Sequence, residues 1–335
     1  MSARAALLFL VAAVLWGIPY LLVELMVGEV SPAFVVFARA VLGAVVLVPF
    51  VLRGGRLAAL RGRARQVLWL ALLDLAAPAL LITFGVAAVP SSLAGTLVAS
   101  VPIMVAILAL RFAPGERVTG LRLVGLAIGL AGVGLLLGAE VAGDAHALAG
   151  GLLVLAGALL YAGGALYFQR HFSDQPPLVV VAGTLLGCAL LSAIPAALDP
   201  PHAVPSATVI GALALLGAGC TGVGYVAFYT LVAELGAARA SVVTYLAPAV
   251  SVLGGVLLLG EPLTAGIVAG LLLVLAGAWL SSGRRPPPAP AGGHLDIPGA
   301  GAGPSAPVGG AEGDRHRLRS ARGRGQPYGV AATAP

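Results

Sequence analysis

The chain reads as an all-α polytopic membrane protein of ten transmembrane helices, arranged as two inverted five-helix repeats. Three observations predict this: too little charge for a water-facing surface, apolar runs that alternate with arginine-bearing connections, and self-similarity at an offset of 145 residues. Of 335 residues, 59% are hydrophobic and only 10% are charged, whereas a soluble domain carries about 25% charged residues. All 19 basic residues are arginine. The absence of lysine excludes a P-loop ATP site, a lysine Schiff base and a lysine general base. The net charge of +6 does not indicate a nucleic-acid partner, because the arginines fall between apolar runs, where membrane orientation accounts for them. Cys188 and Cys220 lie inside apolar stretches and read as small packing residues rather than a disulfide.

A helix crossing about 30 Å of hydrocarbon needs about 20 apolar residues. Cutting the chain at charges, proline clusters and glycine-rich turns leaves ten such segments: 6–26, 32–52, 67–88, 91–110, 119–138, 148–168, 177–197, 208–231, 240–259 and 264–282. The connections are too short for a soluble catalytic domain. Arg4 followed by Val11, Ala12 and Ala13 has some look of a leader, but the apolar run continues to Met26, so an uncleaved first helix is expected.

With the N-terminus inside, alternate connections receive Arg53, Arg56, Arg61, Arg63 and Arg65, then Arg111 and Arg117, then Arg170, Arg239, Arg284 and Arg285. The opposite connections hold Glu29, Glu140, Asp144, Asp199 and Glu261 and no arginine. This positive-inside pattern predicts a bacterial cytoplasmic membrane protein with both termini in the cytoplasm. Residues 1–140 and 147–283 are the expected repeats. Residues 284–335, rich in Pro, Gly and Arg, are expected to be a disordered tail. Its Arg315, Arg317, Arg319, Arg322 and Arg324 are either simply solvated or bind anionic lipid headgroups.

Sliding the chain by 145 residues aligns Leu15 and Trp16 with Leu160 and Tyr161, Pro32 with Pro177, Phe84 with Tyr229, Glu116 with Glu261, and Leu130, Ala131 and Gly132 with Leu275, Ala276 and Gly277. A one-residue shift in the middle pairs Pro102 with Pro248. Five helices per copy is an odd number, so the second copy enters the membrane from the other side. Inverted repeats of this kind underlie alternating access in secondary transporters, with the substrate site near the midplane.

Leu15, Trp16, Gly17 and Tyr20, the run Phe37, Ala38, Arg39, Ala40, the sequence Tyr245, Leu246, Ala247, Pro248, and the motif Leu259, Gly260, Glu261, Pro262, Leu263, Thr264 resemble the EamA-type branch of the drug/metabolite transporter superfamily. The resemblance covers about residues 6–283. It implies a ten-helix inverted repeat with both termini inside, moving small metabolites such as amino acids, mostly outward. The chain departs from that family at Glu24, where many members carry lysine.

Charges inside apolar segments cost about 2.5 to 3.5 kcal/mol and so mark cavities or partners. Glu24, Arg39 and Asp74 stand out, and their equivalents 145 residues on are Gln169, Thr184 and Gly219. The charge therefore belongs to one half only. Arg39, about 10 Å from the outer boundary, either binds a substrate carboxylate or pairs with Glu24. Asp74, about 10 Å from the inner boundary, is a candidate protonation site or a structural partner of an arginine. Glu24, near the outer surface, either joins in proton coupling or snorkels. Trp16, Tyr20 and Glu24 share an i, i+4, i+8 spacing, repeated by Thr221, Tyr225 and Tyr229. These faces, with Tyr161 and Tyr245, are candidates for lining the cavity, the alternative being ordinary aromatic packing. Pro78 in the third segment and Gly217, Gly219, Gly222 and Gly224 in the eighth mark interruptions at matching positions, a pointer to a substrate site. Gly125 with Gly129, Gly183 with Gly187, and Gly266 with Gly270 read as close-packing pairs.

All five histidines fall in connections or the tail, so no cofactor or metal site is indicated, and no HExxH, G-x-S-x-G or GxGD motif is present. A channel is disfavoured because no ring of like filter residues is visible. The expected partners are a small-molecule substrate and the lipid bilayer.

Overall fold

A computed structural model describes residues 2–52, 60–112, 120–141, 143–235, 240 and 242–281. Eight helices are long and apolar enough to cross a membrane: α1 (Ala3–Glu24), α2 (Pro32–Leu52), α3 (Ala64–Val86), α4 (Ser91–Leu108), α5 (Leu121–Ala139), α6 (Ala145–Phe172), α7 (Pro177–Leu198) and α8 (Ala207–Leu235). Two shorter apolar helices follow, α9 (Val243–Leu259) and α10 (Ala265–Ser281). There is no strand among the described residues. The 284–335 tail, Arg53, Arg56, Glu116, Arg117 and Arg239 lie outside them.

Ten apolar segments were expected, and the boundaries differ where local chemistry intervenes. Helix α1 stops at Glu24 rather than Met26, and it bends at Ile18 because Pro19 has no N–H to continue the ladder. Gly17 makes the bend compatible with packing: a Cβ there would lie 2.5 Å from Val250 Cβ, so α1 crosses α9 closely only because the residue is glycine. Helix α4 is interrupted at Ala99 and Ser100, two residues ahead of Pro102, where the Ser100 hydroxyl donates to the Leu97 carbonyl at 2.6 Å. The matching Pro248 sits inside a continuous α9.

Helices α3 and α8 each open into a wide turn, at Leu72–Ala76 and Leu215–Val223. The Ala77 N–H reaches back five residues to the Leu72 carbonyl, and that of Gly224 to Gly219. Such π turns are often found at functional sites. An offset of 145 places the first inside the second, so the interruptions expected from Pro78 and the α8 glycines coincide.

The packing maps onto itself when each helix of the first five is exchanged for its counterpart in the second. Helix α5 packs on α10, α2 on α7 and α4 on α9, while α3 on α6 matches α8 on α1, and α2 on α8 matches α7 on α3. Small residues set the closest approaches. A Cβ on Gly277 would meet the backbone of Gly129 and lie 2.7 Å from the Gly125 carbonyl, so α5 and α10 touch backbone to backbone. Gly183 and Gly187 instead make room for side chains, Leu60 and Val67 at the first and Ala71 of α3 at the second.

Candidate functional site

Arg39 is carried by α2 into the bundle, where its Nε donates to Thr221 Oγ1 at 3.0 Å. Thr221 is presented by the wide turn of α8, and its own hydroxyl donates to the Leu216 carbonyl five residues back at 2.9 Å. The loosened ladder therefore supplies the acceptor that holds the guanidinium. Tyr161 of α6, with Tyr20, Tyr225, Cys188 and Cys220, lies close enough to share the field of the same guanidinium.

Asp74 sits on the wide turn of α3. Its seat is Gly164 of α6, where a Cβ would lie 2.7 Å from Asp74 Cβ and 2.8 Å from Oδ1. Among the described residues, Asp74 makes no side-chain hydrogen bond or ion pair. Tyr161 and Tyr225 lie within the electrostatic reach of both Asp74 and Arg39, and Tyr229 near Asp74. The tyrosines are thus close to a cation and a carboxyl that make no ion pair with each other among the described residues. Arg39, Asp74, Tyr20, Tyr161, Tyr225 and Tyr229 all retain partial exposure although they lie inside the bundle. These side chains are the candidate lining of a cleft between the helices.

The bend at Ile18 divides the expected Trp16, Tyr20, Glu24 stripe. Trp16 turns to α8, edge-on to Tyr225 at 5.7 Å between ring centres and 4.6 Å from Phe228. Its Nε1 lies 3.0 Å from the position a Gly224 Cβ would take, so glycine admits the indole. Tyr20 packs toward Gly95 of α4. Tyr245 packs half-buried at the start of α9 against the largest apolar cluster, as do Tyr20 and Tyr161.

Glu24 does not pair with Arg39. Instead its Oε2 accepts from the Ser91 N–H at 3.0 Å at the start of α4. Of the two alternatives for Arg39, the α1–α2 ion pair is therefore not formed: Ser91 holds Glu24, and Thr221 takes the guanidinium. Glu24 also lines a cavity of about 370 Å³ with Val27 and residues 86–90. Asp74 likewise has no arginine partner among the described residues. The ion pairs found there lie at the end of the bundle that carries the N-terminus: Arg4 with Glu234 at 3.2 Å, and Arg63 with Asp174 at 2.9 Å.

One expected residue has an unforeseen partner, and one residue was not expected at the site. Thr221 was visible as part of an i, i+4 stripe with Tyr225 and Tyr229, but nothing in one helix reveals that it meets Arg39, 182 positions earlier. Gly164 carries no signal of its own, since its role is the space it leaves for Asp74.

The model of the EamA-like transporter family matches residues 3–138 and again 148–283. The chain belongs to the EamA-like transporter family. A Bacillus subtilis (strain 168) protein described as "Uncharacterized transporter YvbV" is 27% identical over 276 residues, covering 81% of this chain and 89% of that one. An "Uncharacterized transporter" of Archaeoglobus fulgidus is 25% identical over 274 residues, covering 81% and 95%. A solved crystal structure of a protein 25% identical to this chain covers 84% of it and 98% of its own length, with a TM-score of 0.58. This EamA-like chain is thus a multi-pass membrane transporter. The two matched stretches meet at the cleft, with Arg39 and Asp74 from the first facing Tyr161, Thr221 and Tyr225 from the second.

Proposed function

We propose that this chain is a secondary transporter that exports a small carboxylate-bearing metabolite, amino acid-like in size, from a bacterial cytoplasm. The observation that carries this reading is the Arg39 guanidinium, held at Nε by Thr221 and bordered by tyrosines, with no carboxylate paired to it among the described residues. A guanidinium recognises a carboxylate in bidentate fashion and gains strength where water is excluded. Asp74, seated on Gly164 without a cation, is the group suited to carry a coupling proton. The arginine distribution supports a cytoplasmic side for both termini.

Alternating access follows from two five-helix halves, residues 1–140 and 147–283, rocking about the cleft. Polar links between the halves lie at both ends of the bundle. At the N-terminal end these are the Arg4–Glu234 and Arg63–Asp174 pairs. At the other, Glu29 accepts from the Ser206 N–H and hydroxyl at 2.8 and 2.9 Å, and Ser31 donates to the Asp199 carbonyl at 2.7 Å. Opening to either side breaks one set and leaves the other intact.

Counterflow into proteoliposomes loaded with a panel of unlabelled amino acids, followed with the matching labelled compounds, tests the reading. Trans-acceleration is expected for the wild type and its loss for Arg39→Ala and Asp74→Asn. Wild-type counterflow in both variants, inserted at normal levels, overturns the site assignment.

A further inference from the structure

We propose that Glu24 and Glu261 together hold one proton at the N-terminus of α4, and that this shared proton keeps the adjoining end of the bundle closed. Glu261 lies in the α9–α10 connection, far in sequence from Glu24, and the fold brings both carboxyl groups to a single backbone N–H. The Ser91 N–H donates to Glu24 Oε2 at 3.0 Å and to Glu261 Oε1 at 2.9 Å. The Ser91 hydroxyl also donates to Glu261 Oε1, and the Ser92 N–H donates to Glu261 Oε2 at 3.0 Å. Two oxygens held 3.0 and 2.9 Å from one nitrogen lie within about 6 Å of each other, so the two carboxyl groups are immediate neighbours.

The place is built for Glu261. Gly260 turns the chain with a φ of +70°, and the Glu261 N–H donates to the Gly255 carbonyl at 3.1 Å. The carboxyl carbon lies 2.7 Å from where a Gly255 Cβ would stand, so only glycine leaves room for it. Ser251 of α9 adds a bond to the Ser91 carbonyl at 3.2 Å. A second sign that the arrangement is unfinished is Ser92: its N–H holds the Glu261 carboxyl and its side chain is 1% exposed, yet by geometry its Oγ has no hydrogen-bond partner among the described residues.

Charge decides what the pair holds. A helix N-terminus offers the equivalent of about half a positive charge, enough for one carboxylate, and Glu261 takes three of the four donor contacts. No arginine or histidine faces the pair from α1, α4, α9, the α9–α10 connection or the α3–α4 turn among the described residues, and the neighbouring Glu29 is engaged by Ser206. Two neighbouring carboxylates without a cation repel, and a shared proton removes the repulsion while supplying the hydrogen bond between them. A metal ion fits poorly, because the groups aimed at the pair are N–H and O–H donors rather than oxygen ligands. The proton therefore ties α1 to α4 and to the α9–α10 connection, beside the cavity that Glu24 lines. Its loss makes the tie repulsive and frees that end.

The test needs no substrate, so its failure leaves the transport reading standing. Infrared spectra of the purified full chain in nanodiscs, in H2O and D2O, are recorded in an Asp74→Asn background, which removes the other candidate neutral carboxyl, with both glutamates present and with Glu24→Gln or Glu261→Gln added. A neutral-carboxyl band sensitive to D2O is expected at neutral pH when both glutamates are present and expected to vanish when either is replaced, because the remaining carboxylate then has the helix terminus to itself. Retention of the band in both variants overturns the proposal. Labelling of a Val89→Cys chain by a maleimide reports the closure, since Val89 lines the same cavity and is only 4% exposed. Because the thiolate is the reacting form, each rate is divided by that of a free thiol at the same pH; this ratio is expected to rise by up to about tenfold per pH unit through the transition and to level off above it, as release of one proton requires, and to stay low and flat when Glu24→Gln is added. A flat ratio in the Val89→Cys chain alone sinks the latch even if the glutamine variants fail to insert.

Discussion

Arg39 and Thr221 meet across 3.0 Å between α2 and the wide turn of α8, and this bond fixes the one guanidinium found in the cleft among the described residues. Thr221→Val removes the acceptor while keeping the shape. A hydrogen bond to a charged group is worth about 1.5 to 3 kcal/mol, so the variant should lose about tenfold or more in counterflow while inserting normally. Thr221→Ser, which keeps the hydroxyl, should retain most of the activity.

Asp74 and Gly164 give a steric test with an internal control. Gly164→Ala places a Cβ 2.7 Å from Asp74 Cβ and must displace it, whereas a Cβ at Gly163 meets nothing within 4 Å. Gly163→Ala should gain up to about 1 kcal/mol of helix propensity and leave transport intact. Gly164→Ala should lose about 1 to 3 kcal/mol to overpacking, and its counterflow should fall. Thermal unfolding in detergent and counterflow rates read both.

Gly277 supports the tightest helix contact, between α5 and α10. Gly277→Ala drives a methyl into the backbone of Gly129 and should lower the unfolding temperature, at a cost of about 1 to 3 kcal/mol. Gly134→Ala, on the open side of α5 with nothing within 4 Å, should leave it unchanged or raise it.

The Arg63–Asp174 pair should titrate at the N-terminal end. Bonds from Arg63 and Gln175 hold the Asp174 carboxyl below the usual aspartate range of about 3.9. A depressed folded value means the pair's contribution is complete above that range and is lost as pH falls through the folded value. In Arg63→Gln the Asp174 titration, followed by NMR of carboxyl-labelled protein, should move back up toward the ordinary range. An unmoved midpoint would show that Arg63 is not its cause.

Much of this was legible from residues alone. Apolar run length fixed the number and approximate placement of the helices, because hydrocarbon thickness converts directly into residue count. The offset of 145 foretold that α3 and α8 would be interrupted alike, and the residues responsible, Pro78 and the α8 glycines, were visible. Arg39 and Asp74 stood out because charge is rare in such segments. The neighbours of Trp16, Tyr20 and Glu24 were not legible: the indole meets α8, Tyr20 packs toward Gly95 and Glu24 accepts from Ser91.

The sequence by itself determined the class, the helix order, the repeat and a short list of buried charges, all of which follow from local hydropathy and covalent geometry. Only the tertiary structure decided the partners. That Arg39 meets Thr221 rather than Glu24, that Asp74 rests on Gly164, and that Glu24 joins Glu261 on one N–H are contacts between residues 67 to 237 positions apart. Such contacts depend on how bent helices stack, and helix bending and close approach are set by glycines and prolines whose effect appears only once a neighbouring helix is in place.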